Sequence, residues 1–350
     1  MKKIKYGKTF AGYKELRSSF FDPSTNDAIV DRLKVADSLY RAQPQRTKCK
    51  ICSTAFGSPS FHRNQVPYFI CKACGHLNGG HQDTDNYNHA LYADEESILA
   101  TNSSYDDKDL EEFEFRVKNI YAPKVEWLWN TLIELGEKPE RLNCSDMGCG
   151  AGHMVQAIRN KGFNRVTGYD VYLPNIEQGN KMIGEDVLCS HSIEDVGCIA
   201  SNVEDDVVTS IFMLEHISDP LEWCRALKTN PRVKYALIAV PMFSPTVIME
   251  MVFPHVMHRS LGLAHTHLFT KSSLNWLFNE CGLEIVSEWW FGADAFDFHR
   301  NIYMHLKHTL ESDCLAQVWD SMTEKSLDAI QLALDKIDSS SELHTIVRVN

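Results

Sequence analysis

Residues 146–155, DMGCGAGHMV, place three glycines two residues apart directly behind an acidic residue. A dinucleotide-binding loop needs Gly or Ala at the sixth position of G-x-G-x-x-G/A, and the two possible registers have His153 and Val155 there. The G-x-x-x-x-G-K-S/T pattern of a phosphate loop is also absent. Glycines permit tight turns and close approach of a ligand to the backbone. The stretch therefore predicts a ligand-binding turn that is neither a dinucleotide-binding loop nor a phosphate loop.

The acidic residue before the turn indicates the charge of the ligand. Asp146 ends a predicted strand, where a carboxylate repels a pyrophosphate and attracts a cation. S-adenosylmethionine carries an ammonium and a sulfonium group, and the helix predicted from about His153 can direct its N-terminus at the carboxylate of this ligand. Asp170, at the end of the next predicted strand, is expected to accept hydrogen bonds from a ribose diol, with a turn aspartate as the alternative.

From residue 142 onward, apolar runs alternate with amphipathic segments, which is typical of a parallel α/β sheet. The predicted strands are 142–147, 165–171, 206–213, 234–240 and 283–291. A weaker strand starts near residue 187, and its end offers Glu194 or Asp195 to an adenine edge. Two helical segments, at about 295–311 and 320–338, precede a last strand at 343–349, which we expect to insert antiparallel beside its predecessor.

Four cysteines follow the spacing C-x2-C-x18-C-x2-C, which is typical of a tetrahedral zinc site; they are Cys49, Cys52, Cys71 and Cys74. The surrounding residues, 46–90, have only short apolar runs and cannot form a core of their own. A structural zinc ion would supply the missing folding free energy. Unligated cysteines and a redox-active pair are the alternatives, and the second is disfavoured because two pairs occur outside any βαβ pattern.

These patterns divide the chain into four parts. Residues 24–43 form an amphipathic helical pattern that Pro44 ends, and residues 93–117 are acidic and resemble a linker or lid. The predicted divisions are a helical segment at 1–45, a zinc ribbon at 46–92, the linker or lid at 93–117, and an α/β domain at 118–350 with a helical insertion at about 294–338.

Charge is distributed unevenly along the chain, whose net charge is −12. Residues 1–72 contain 14 Lys and Arg against 5 Asp and Glu, and the remaining residues contain 21 against 42. A basic face that pairs with the acidic body is the simpler interpretation, and an anionic partner is the alternative. Nucleic acid is not expected, because no basic stretch has interleaved aromatic residues. With neither an apolar run of membrane length nor an export signal, we expect a cytoplasmic protein without membrane contact.

The pattern D-x-G-x-G-x-G at 146–152, then Asp170, then IFMLEHISDP at 211–220 closely resembles the motifs of class I S-adenosylmethionine-dependent methyltransferases. This resemblance implies a Rossmann-like, seven-stranded sheet of order 3-2-1-4-5-7-6, with 343–349 as the inserted seventh strand. The cofactor-binding residues that follow from the loop, the strand ends and the resemblance are Asp146, Gly148, Gly150, Gly152, Asp170, Glu194, Met213 and Glu215. With the cysteines in front, the whole chain resembles bacterial zinc-ribbon methyltransferases that modify sugars and other small metabolites.

Methyl transfer is an in-line displacement, so the enzyme aligns donor and acceptor and, for a hydroxyl or carbon acid, removes a proton. Histidine is the default base. His216 follows the fourth predicted strand, while His265 and His267 follow the fifth, in a segment that resembles the H-E-H region of zinc-containing sugar C-methyltransferases. Thr266 stands where that family has glutamate, which disfavours carbon methylation. Structural roles for these histidines remain the alternative.

A further segment, 289–303, resembles the border of the family's acceptor pocket and offers Trp290, Asp294 and Asp297, with a buried aromatic cluster as the alternative. The sequence as a whole predicts an S-adenosylmethionine-dependent methyltransferase that modifies a small molecule, favouring a hydroxyl of a sugar or polysaccharide precursor. The alternatives are carbon methylation of a sugar, or methylation of RNA or protein with the zinc ribbon as docking module.

Overall fold

The computed structural model describes residues 2–8, 18–93, 110–262 and 265–350. The strands in these ranges are β1 (Lys3–Tyr6), β2 (Phe61–Arg63), β3 (Val66–Ile70), β4 (Leu77–Gly79), β5 (Asn143–Met147), β6 (Arg165–Asp170), β7 (Leu188–Ser190), β8 (Val207–Ile211), β9 (Tyr235–Pro241), β10 (His267–Leu268), β11 (Glu284–Phe291) and β12 (Glu342–Arg348). The α-helices are α1 (Pro23–Arg41), α2 (Asp85–Asn88), α3 (Leu110–Arg116), α4 (Ala122–Glu134), α5 (His153–Lys161), α6 (Leu173–Ile183), α7 (Val196–Asn202), α8 (Pro220–Thr229), α9 (Pro245–Val252), α10 (Lys271–Cys281), α11 (Asp294–Met304), α12 (Asp313–Thr323) and α13 (Leu327–Asp335).

The larger sheet has the order β1-β11-β12-β9-β8-β5-β6-β7. If β5, β6, β7, β8, β9, β11 and β12 are numbered one to seven, they lie in the order 3-2-1-4-5-7-6. The last strand, β12, is antiparallel to both of its neighbours, β9 and β11. It therefore occupies the position expected for the strand that follows the helical insertion.

The sheet differs from the prediction in its strand count, which is eight rather than seven within the described residues. The additional strand, β1, pairs parallel with β11, and Lys3 lies opposite Ser287. Its four residues, KIKY, are mostly exposed. They form a strand through pairing with β11 at the sheet edge, which local periodicity does not reveal.

Helices cover both faces of the sheet, as the nearly continuous apolar sequence of its central strands requires. On one face, Val208 and Ile238 pack with residues of α7, α8 and α10, including the fully buried Trp223. On the other face, Val207 and Leu237 pack with residues of α4, α5 and α6. The carboxyl ends of the strands are thereby left free to form a site. Strands β6 and β8 lie on opposite sides of β5, which is the position where ligands bind in such sheets.

The cysteine-containing part forms a second sheet of order β10-β4-β3-β2. Its strand β10 comes from the larger domain and pairs with β4, so that His267 lies opposite Asn78. A joint apolar cluster contains Tyr68 from this part and Val247 from α9. The predicted absence of an independent core is consistent with this packing, since the part shares its sheet and apolar contacts with the larger domain.

The helix predicted at 24–43 is α1, which Asp22 caps by accepting a hydrogen bond from the backbone N–H of Thr25 at 2.8 Å. The insertion before β12 contains three helices, α11, α12 and α13, rather than the two segments predicted. Residues 94–109, which include most of the predicted linker or lid, lie outside the described residues. Across the described ranges, no helix is both long and apolar enough to span a membrane.

Candidate active site

A cleft of about 1390 Å³ lies at the carboxyl ends of β5, β6 and β8. One end is lined by the glycine-rich loop after β5 and by Asp170. Another part is lined by Glu215, His216 and His265, together with residues of the 258–262 segment. The cleft exceeds the roughly 300–1,000 Å³ typical of a pocket for one small molecule, so it has room for two ligands.

The three glycines of the loop all have positive φ, from +52° to +81°, which favours glycine. A Cβ atom on Gly148 would lie 2.8 Å from the side chain of Met213, whereas one on Gly150 would meet nothing within 4 Å. Gly150 thus leaves open space where the loop lines the cleft. Gly152 does not line the cleft; a Cβ there would lie 2.8 Å from Leu188, so this glycine serves helix packing.

Asp170 lines the cleft, as expected for a cofactor-binding carboxylate. Its Oδ2 accepts a hydrogen bond from the backbone N–H of Gly150 at 2.8 Å, and its Oδ1 accepts one from the N–H of Tyr172 at 3.0 Å. Each oxygen retains a further lone pair for a ligand hydroxyl. Asp170 therefore fixes the glycine loop as well as offering acceptors to the cleft.

The structure places Asp146 differently from the expectation of a carboxylate that faces a cationic ligand. Its side chain is buried, does not line the cleft, and accepts a hydrogen bond from the hydroxyl of Thr209 at 2.6 Å. Burial raises its pKa to about 7. The sequence places Asp146 at the strand end but does not show that its side chain packs beneath the loop against β8.

The remaining predicted cofactor residues, Glu194, Met213 and Glu215, all line the cleft. Glu194 is exposed at the end of the short β7 region, and its Oε1 lies 3.1 Å from Nε2 of His89. This hydrogen bond lowers the pKa of Glu194 to about 2. Through this contact, the segment that contains His89 is held against the rim of the cleft.

Glu215, His216 and His265 form a compact group in the cleft. Oε1 of Glu215 lies 3.6 Å from Nε2 of His216 and 3.9 Å from Nε2 of His265. The two imidazole rings stack with centroids 5.1 Å apart. Burial raises the pKa of Glu215 to about 8 and lowers that of His265 to about 4. The structure thus brings together two of the three histidines predicted from the sequence.

The third histidine, His267, does not line the cleft and is 1% exposed. Its Nδ1 lies 2.9 Å from Nε2 of His76, and its ring contacts Phe269. It belongs to β10, which joins the cysteine-containing sheet to the larger domain. This position is wrong for a base that acts on an acceptor in the cleft, because His267 lies in β10 and contacts His76, whereas His265 precedes β10 and lines the cleft.

The 258–262 segment is held in place by a buried glutamate of α9. Glu250 accepts hydrogen bonds from the backbone N–H groups of Arg259 and Ser260 through Oε1, at 2.6 and 2.7 Å, and from that of Leu261 through Oε2, at 3.0 Å. The carbonyl oxygen of Ser260 in turn lies 3.1 Å from Nδ1 of His265. Glu250 therefore positions His265 indirectly.

The acceptor-site candidates of segment 289–303 have different positions. Trp290 and Asp294 are buried and do not line the cleft; Asp294 accepts hydrogen bonds from the hydroxyl groups of Ser244 and Thr246 at 2.5 and 2.8 Å. Asp297 does line the cleft, and its Oδ2 lies 2.8 Å from Nη1 of Arg259. Of these three residues, only Asp297 has a position suited to contact with an acceptor.

A group of charged residues in the same cleft was not predicted from the sequence. Lys124 of α4 and Lys8 line it together with Glu342 of β12. Burial and the nearby Lys8 lower the pKa of Lys124 to about 7. The sequence does contain an indication that this lysine is buried. Lys124 is next to Val125 and lies on the face of α4 that is buried together with Leu128 and Leu132.

A second missed feature is the backbone of Phe212, which follows β8 and lines the cleft. Its φ of +57° is rare for an aromatic residue and is typical of strained positions at functional sites. Its N–H nevertheless donates a hydrogen bond to the carbonyl oxygen of Ala239 at 2.9 Å. This bend turns the chain after β8 so that Met213 and Glu215 face the cleft.

The four cysteines lie apart from the cleft and close to one another. Sγ of Cys49 is 3.6 Å from Sγ of Cys74, and Sγ of Cys52 is 3.4 Å from Sγ of Cys71. All four sulfur atoms lie within 4.8 Å of one another. A tetrahedral zinc ion with Zn–S bonds of about 2.3 Å requires sulfur atoms about 3.8 Å apart. The observed cluster fits this requirement.

The strand order, the glycine loop after the first strand of the parallel sheet and the carboxylate after the second define a Rossmann-like fold of the class I methyltransferase type. Residues 122–288, from the start of α4 into β11, match the family model described as a methyltransferase domain. This match supports an S-adenosylmethionine-dependent methyltransferase. No curated protein sequence matches the chain.

Several solved structures are similar to the chain. One is a Galdieria sulphuraria protein provisionally described as a sarcosine dimethylglycine methyltransferase, with 13% identity, coverage of 70% of this chain and 90% of the other, and a TM-score of 0.44. Another is magnesium protoporphyrin IX methyltransferase from Synechocystis PCC 6803, with 13% identity, coverage of 51% and 80%, and a TM-score of 0.38. A third is a methyltransferase from Archaeoglobus fulgidus, with 15% identity, coverage of 67% and 98%, and a TM-score of 0.37. At these identities and TM-scores, the similarities do not identify a substrate.

Proposed function

We propose that this methyltransferase transfers the methyl group of S-adenosylmethionine to a hydroxyl of a small, sugar-derived acceptor. The observation that carries the proposal is the continuity of the cleft, which joins the glycine loop and Asp170 to the group of Glu215, His216 and His265. Its volume of about 1390 Å³ suits a donor and a small acceptor bound together.

The donor end is proposed to bind S-adenosylmethionine through backbone and carboxylate groups. Gly150 leaves room for the ligand against the loop, and Asp170 offers acceptors to the ribose hydroxyls. Glu194, at the rim, is proposed to lie near the adenine. Met213 and Gly148 pack against each other, and both line the cleft.

The acceptor end supplies polar groups that suit a hydroxyl compound. Oxygen methylation requires removal of the hydroxyl proton, attack of the oxygen on the methyl carbon, and departure of neutral S-adenosylhomocysteine. His216 and His265 are the residues proposed to accept the proton, and the low pKa of His265 keeps its imidazole neutral at pH 7. Arg259 and Asp297 provide further hydrogen-bonding groups for a polar acceptor.

Oxygen rather than carbon methylation is supported by the position of Thr266. Its hydroxyl donates a hydrogen bond to Oδ1 of Asp83 at 2.5 Å, in the cysteine-containing part. Thr266 is buried and does not line the cleft. No carboxylate from this sequence position can assist a carbon deprotonation.

We also propose that the four cysteines bind a structural zinc ion. The four sulfur atoms have suitable spacing, and three of the cysteines are buried. When bound, the ion would tie the C-x2-C turns at 49–52 and 71–74 together and stabilise a sheet of short strands.

A small acceptor is also supported by how the basic residues of the cysteine-containing part are used. Arg63 forms an ion pair with Asp37 at 2.5 Å, and Lys50 forms one with Asp83 at 2.6 Å, all with side chains that are almost fully buried. Arg63 and Lys50 are thus paired inside the protein, so these two residues do not contribute to a surface for a polyanion. A gel shift with RNA at low salt that showed strong binding would contradict this interpretation.

The proposed function is tested in two steps. Isothermal titration calorimetry should detect S-adenosylmethionine binding to the purified protein. Small-molecule extracts incubated with the protein and isotope-labelled donor should then yield a labelled product in mass spectrometry. A labelled macromolecule with no labelled small molecule would overturn the acceptor class.

A further inference from the structure

Glu215 is an unusual residue for the interior of the cleft. It is 1% exposed, and neither of its carboxylate oxygens accepts a hydrogen bond from another residue in the ranges that the structure describes. A buried carboxylate is unfavourable unless it is paired with a cation, protonated or bound to a metal. The carboxylate lies at the wall of the cleft with almost no exposed surface on its oxygens, so a small cation would reach them from that side after a small side-chain rotation.

Two imidazole nitrogens share this space with the carboxylate. The ligand atoms of Glu215, His216 and His265 all lie within 4.8 Å of one another. Metal-bound nitrogen and oxygen atoms lie about 2.0–2.2 Å from the ion, and hence about 3.0–3.5 Å apart. The observed separations from Oε1 of Glu215, 3.6 and 3.9 Å, are slightly wider than this. Small side-chain rotations would bring the three atoms to ligand distance.

The surroundings of His265 favour ligation by its second nitrogen. A carbonyl oxygen only accepts hydrogen bonds, so Nδ1 of His265 is the donor in its contact with Ser260 O at 3.1 Å. The neutral ring then has its lone pair on Nε2, the atom that faces Glu215. Metal-binding histidines are oriented in this way by a second hydrogen-bond partner. Ser260 is itself fixed by Glu250 through its N–H at 2.7 Å.

We propose that Glu215, His216 and His265 bind one divalent transition-metal ion of the Mn²⁺, Fe²⁺ or Zn²⁺ type at the acceptor end of the cleft. Two imidazoles and one carboxylate leave coordination positions open, and this donor set suits these ions. The site is separate from the cysteine quartet, whose four thiolates form a closed set.

The role of this ion rests on the proposed function and narrows its substrate class. An acceptor hydroxyl that coordinates the ion loses its proton more readily, and the proton passes to water in the cleft. The oxygen then forms a bond to the methyl carbon while the carbon–sulfur bond breaks, and its electron pair stays on sulfur. The oxidation state of the ion does not change. With the ion bound, His216 and His265 are its ligands, and water takes the place of the two histidines as proton acceptor in the proposed reaction. An acceptor with two neighbouring oxygen atoms, such as a vicinal diol, would chelate the ion and bind best.

Manganese is the probe that separates this site from the cysteine quartet, because thiolates select zinc while Mn²⁺ prefers carboxylate, imidazole and water ligands. Zinc-loaded full-length protein is titrated with Mn²⁺, and binding is followed by loss of the electron paramagnetic resonance signal of free Mn²⁺. We expect one bound Mn²⁺ per chain. In Glu215→Gln the affinity should fall at least tenfold. In Glu222→Gln, which changes an exposed glutamate lining the same cleft, it should not change.

Loss of folding is excluded by a second readout. Mn²⁺ should raise the melting temperature of the wild-type protein and of Glu222→Gln but not of Glu215→Gln, because only a ligand that binds the folded state stabilises it. If Glu215→Gln does not fold, His265→Gln takes its place in the same titration. Absence of Mn²⁺ binding in the wild type, or equal binding in the Glu215 and Glu222 variants, overturns the metal site.

The two proposals fail separately. Calorimetric binding of S-adenosylmethionine without any Mn²⁺ binding would leave the methyltransferase function and remove the metal site. Mn²⁺ binding that depends on Glu215, with no binding of S-adenosylmethionine, would keep the metal site and remove the proposed function.

Discussion

The two ends of the cleft are built in different ways. The donor end consists of a short loop and of side chains at the ends of neighbouring strands, and its central contact joins the backbone of Gly150 to Asp170. The acceptor end collects side chains from distant segments, including Glu215 after β8, His265 before β10 and Lys124 of α4. The donor end can therefore be built from a local motif. The acceptor end is assembled by the tertiary fold.

This comparison predicts that substitutions at the two ends affect different measurements. A change at the acceptor end should alter the rate of transfer at constant donor affinity, whereas a change at the donor end should alter donor affinity itself.

The largest effect is expected for His265→Ala. Whether His265 acts as a base or as a metal ligand, its loss should lower kcat by about 10²–10⁴. The dissociation constant of S-adenosylmethionine should stay within about twofold of wild type, since His265 is not among the groups proposed to bind the donor. Rates are measured as transfer of labelled methyl groups to the acceptor found in extracts.

The matched control is His267→Ala, two residues away on β10. His267 pairs with His76 and does not line the cleft. Its replacement should lower the melting temperature but leave the rate per folded molecule nearly unchanged. A rate loss in the His267 variant equal to that in the His265 variant would contradict the assignment of the acceptor end.

For the donor end, Asp170→Ala should weaken S-adenosylmethionine binding by about 10- to 100-fold, as expected when a carboxylate that accepts hydrogen bonds is removed. Part of the effect comes from the loop, because the N–H groups of Gly150 and Tyr172 lose their acceptor. Calorimetry measures the affinity. Asp186→Ala, which removes an exposed carboxylate before β7 that does not line the cleft, is the control and should bind as wild type does. Equal losses in both variants would show that Asp170 has no specific role.

The difference between the two ends also explains which residues could be predicted from the sequence. The positions of Asp170, Gly148 and Gly150 at the cleft could be predicted because strand ends and turns are local features, whereas Gly152 does not line the cleft. His216 and His265 were found as residue types near strand ends, but their proximity to Glu215 depends on how segment 258–262 folds over Glu250. The sequence could not separate His265 from His267, because the contact of His267 with His76 requires the pairing of β10 with β4. The position of Lys124 in the cleft could not be predicted from a strand end or a turn, since this residue lies within a helix.

Within the donor end, the glycines at 150 and 152 offer a smaller test. Both have positive φ, so alanine is strained at either position, by about 1–2 kcal/mol. At Gly152 a Cβ atom would also lie 2.8 Å from Leu188 and 2.9 Å from Ile183, which adds a packing cost of about 1–3 kcal/mol. Urea unfolding should therefore show a larger loss of stability for Gly152→Ala than for Gly150→Ala. Calorimetry should show the reverse order for loss of donor affinity, and the same order in both experiments would contradict the division between a packing glycine and a cleft glycine.

The smallest expected effect concerns Lys124 and depends on pH. Burial and the charge of Lys8 lower its pKa in the folded protein to about 7, while in the unfolded chain it stays near 10.5. Between these values the unfolded state binds more protons, so the free energy of unfolding should rise with pH, by at most about 1.4 kcal/mol per pH unit. Lys124→Met removes this proton and should abolish that contribution. The difference in stability between Lys124→Met and wild type, measured by urea unfolding from pH 6 to 9, should therefore be largest at pH 6 and decrease above pH 7. Lys181→Met, at an exposed position of α6, is the control and should show a constant difference. A constant difference for Lys124→Met as well would mean that this lysine stays charged in the cleft, and it would then be suited to contact a carboxylate of a bound ligand rather than to accept a proton.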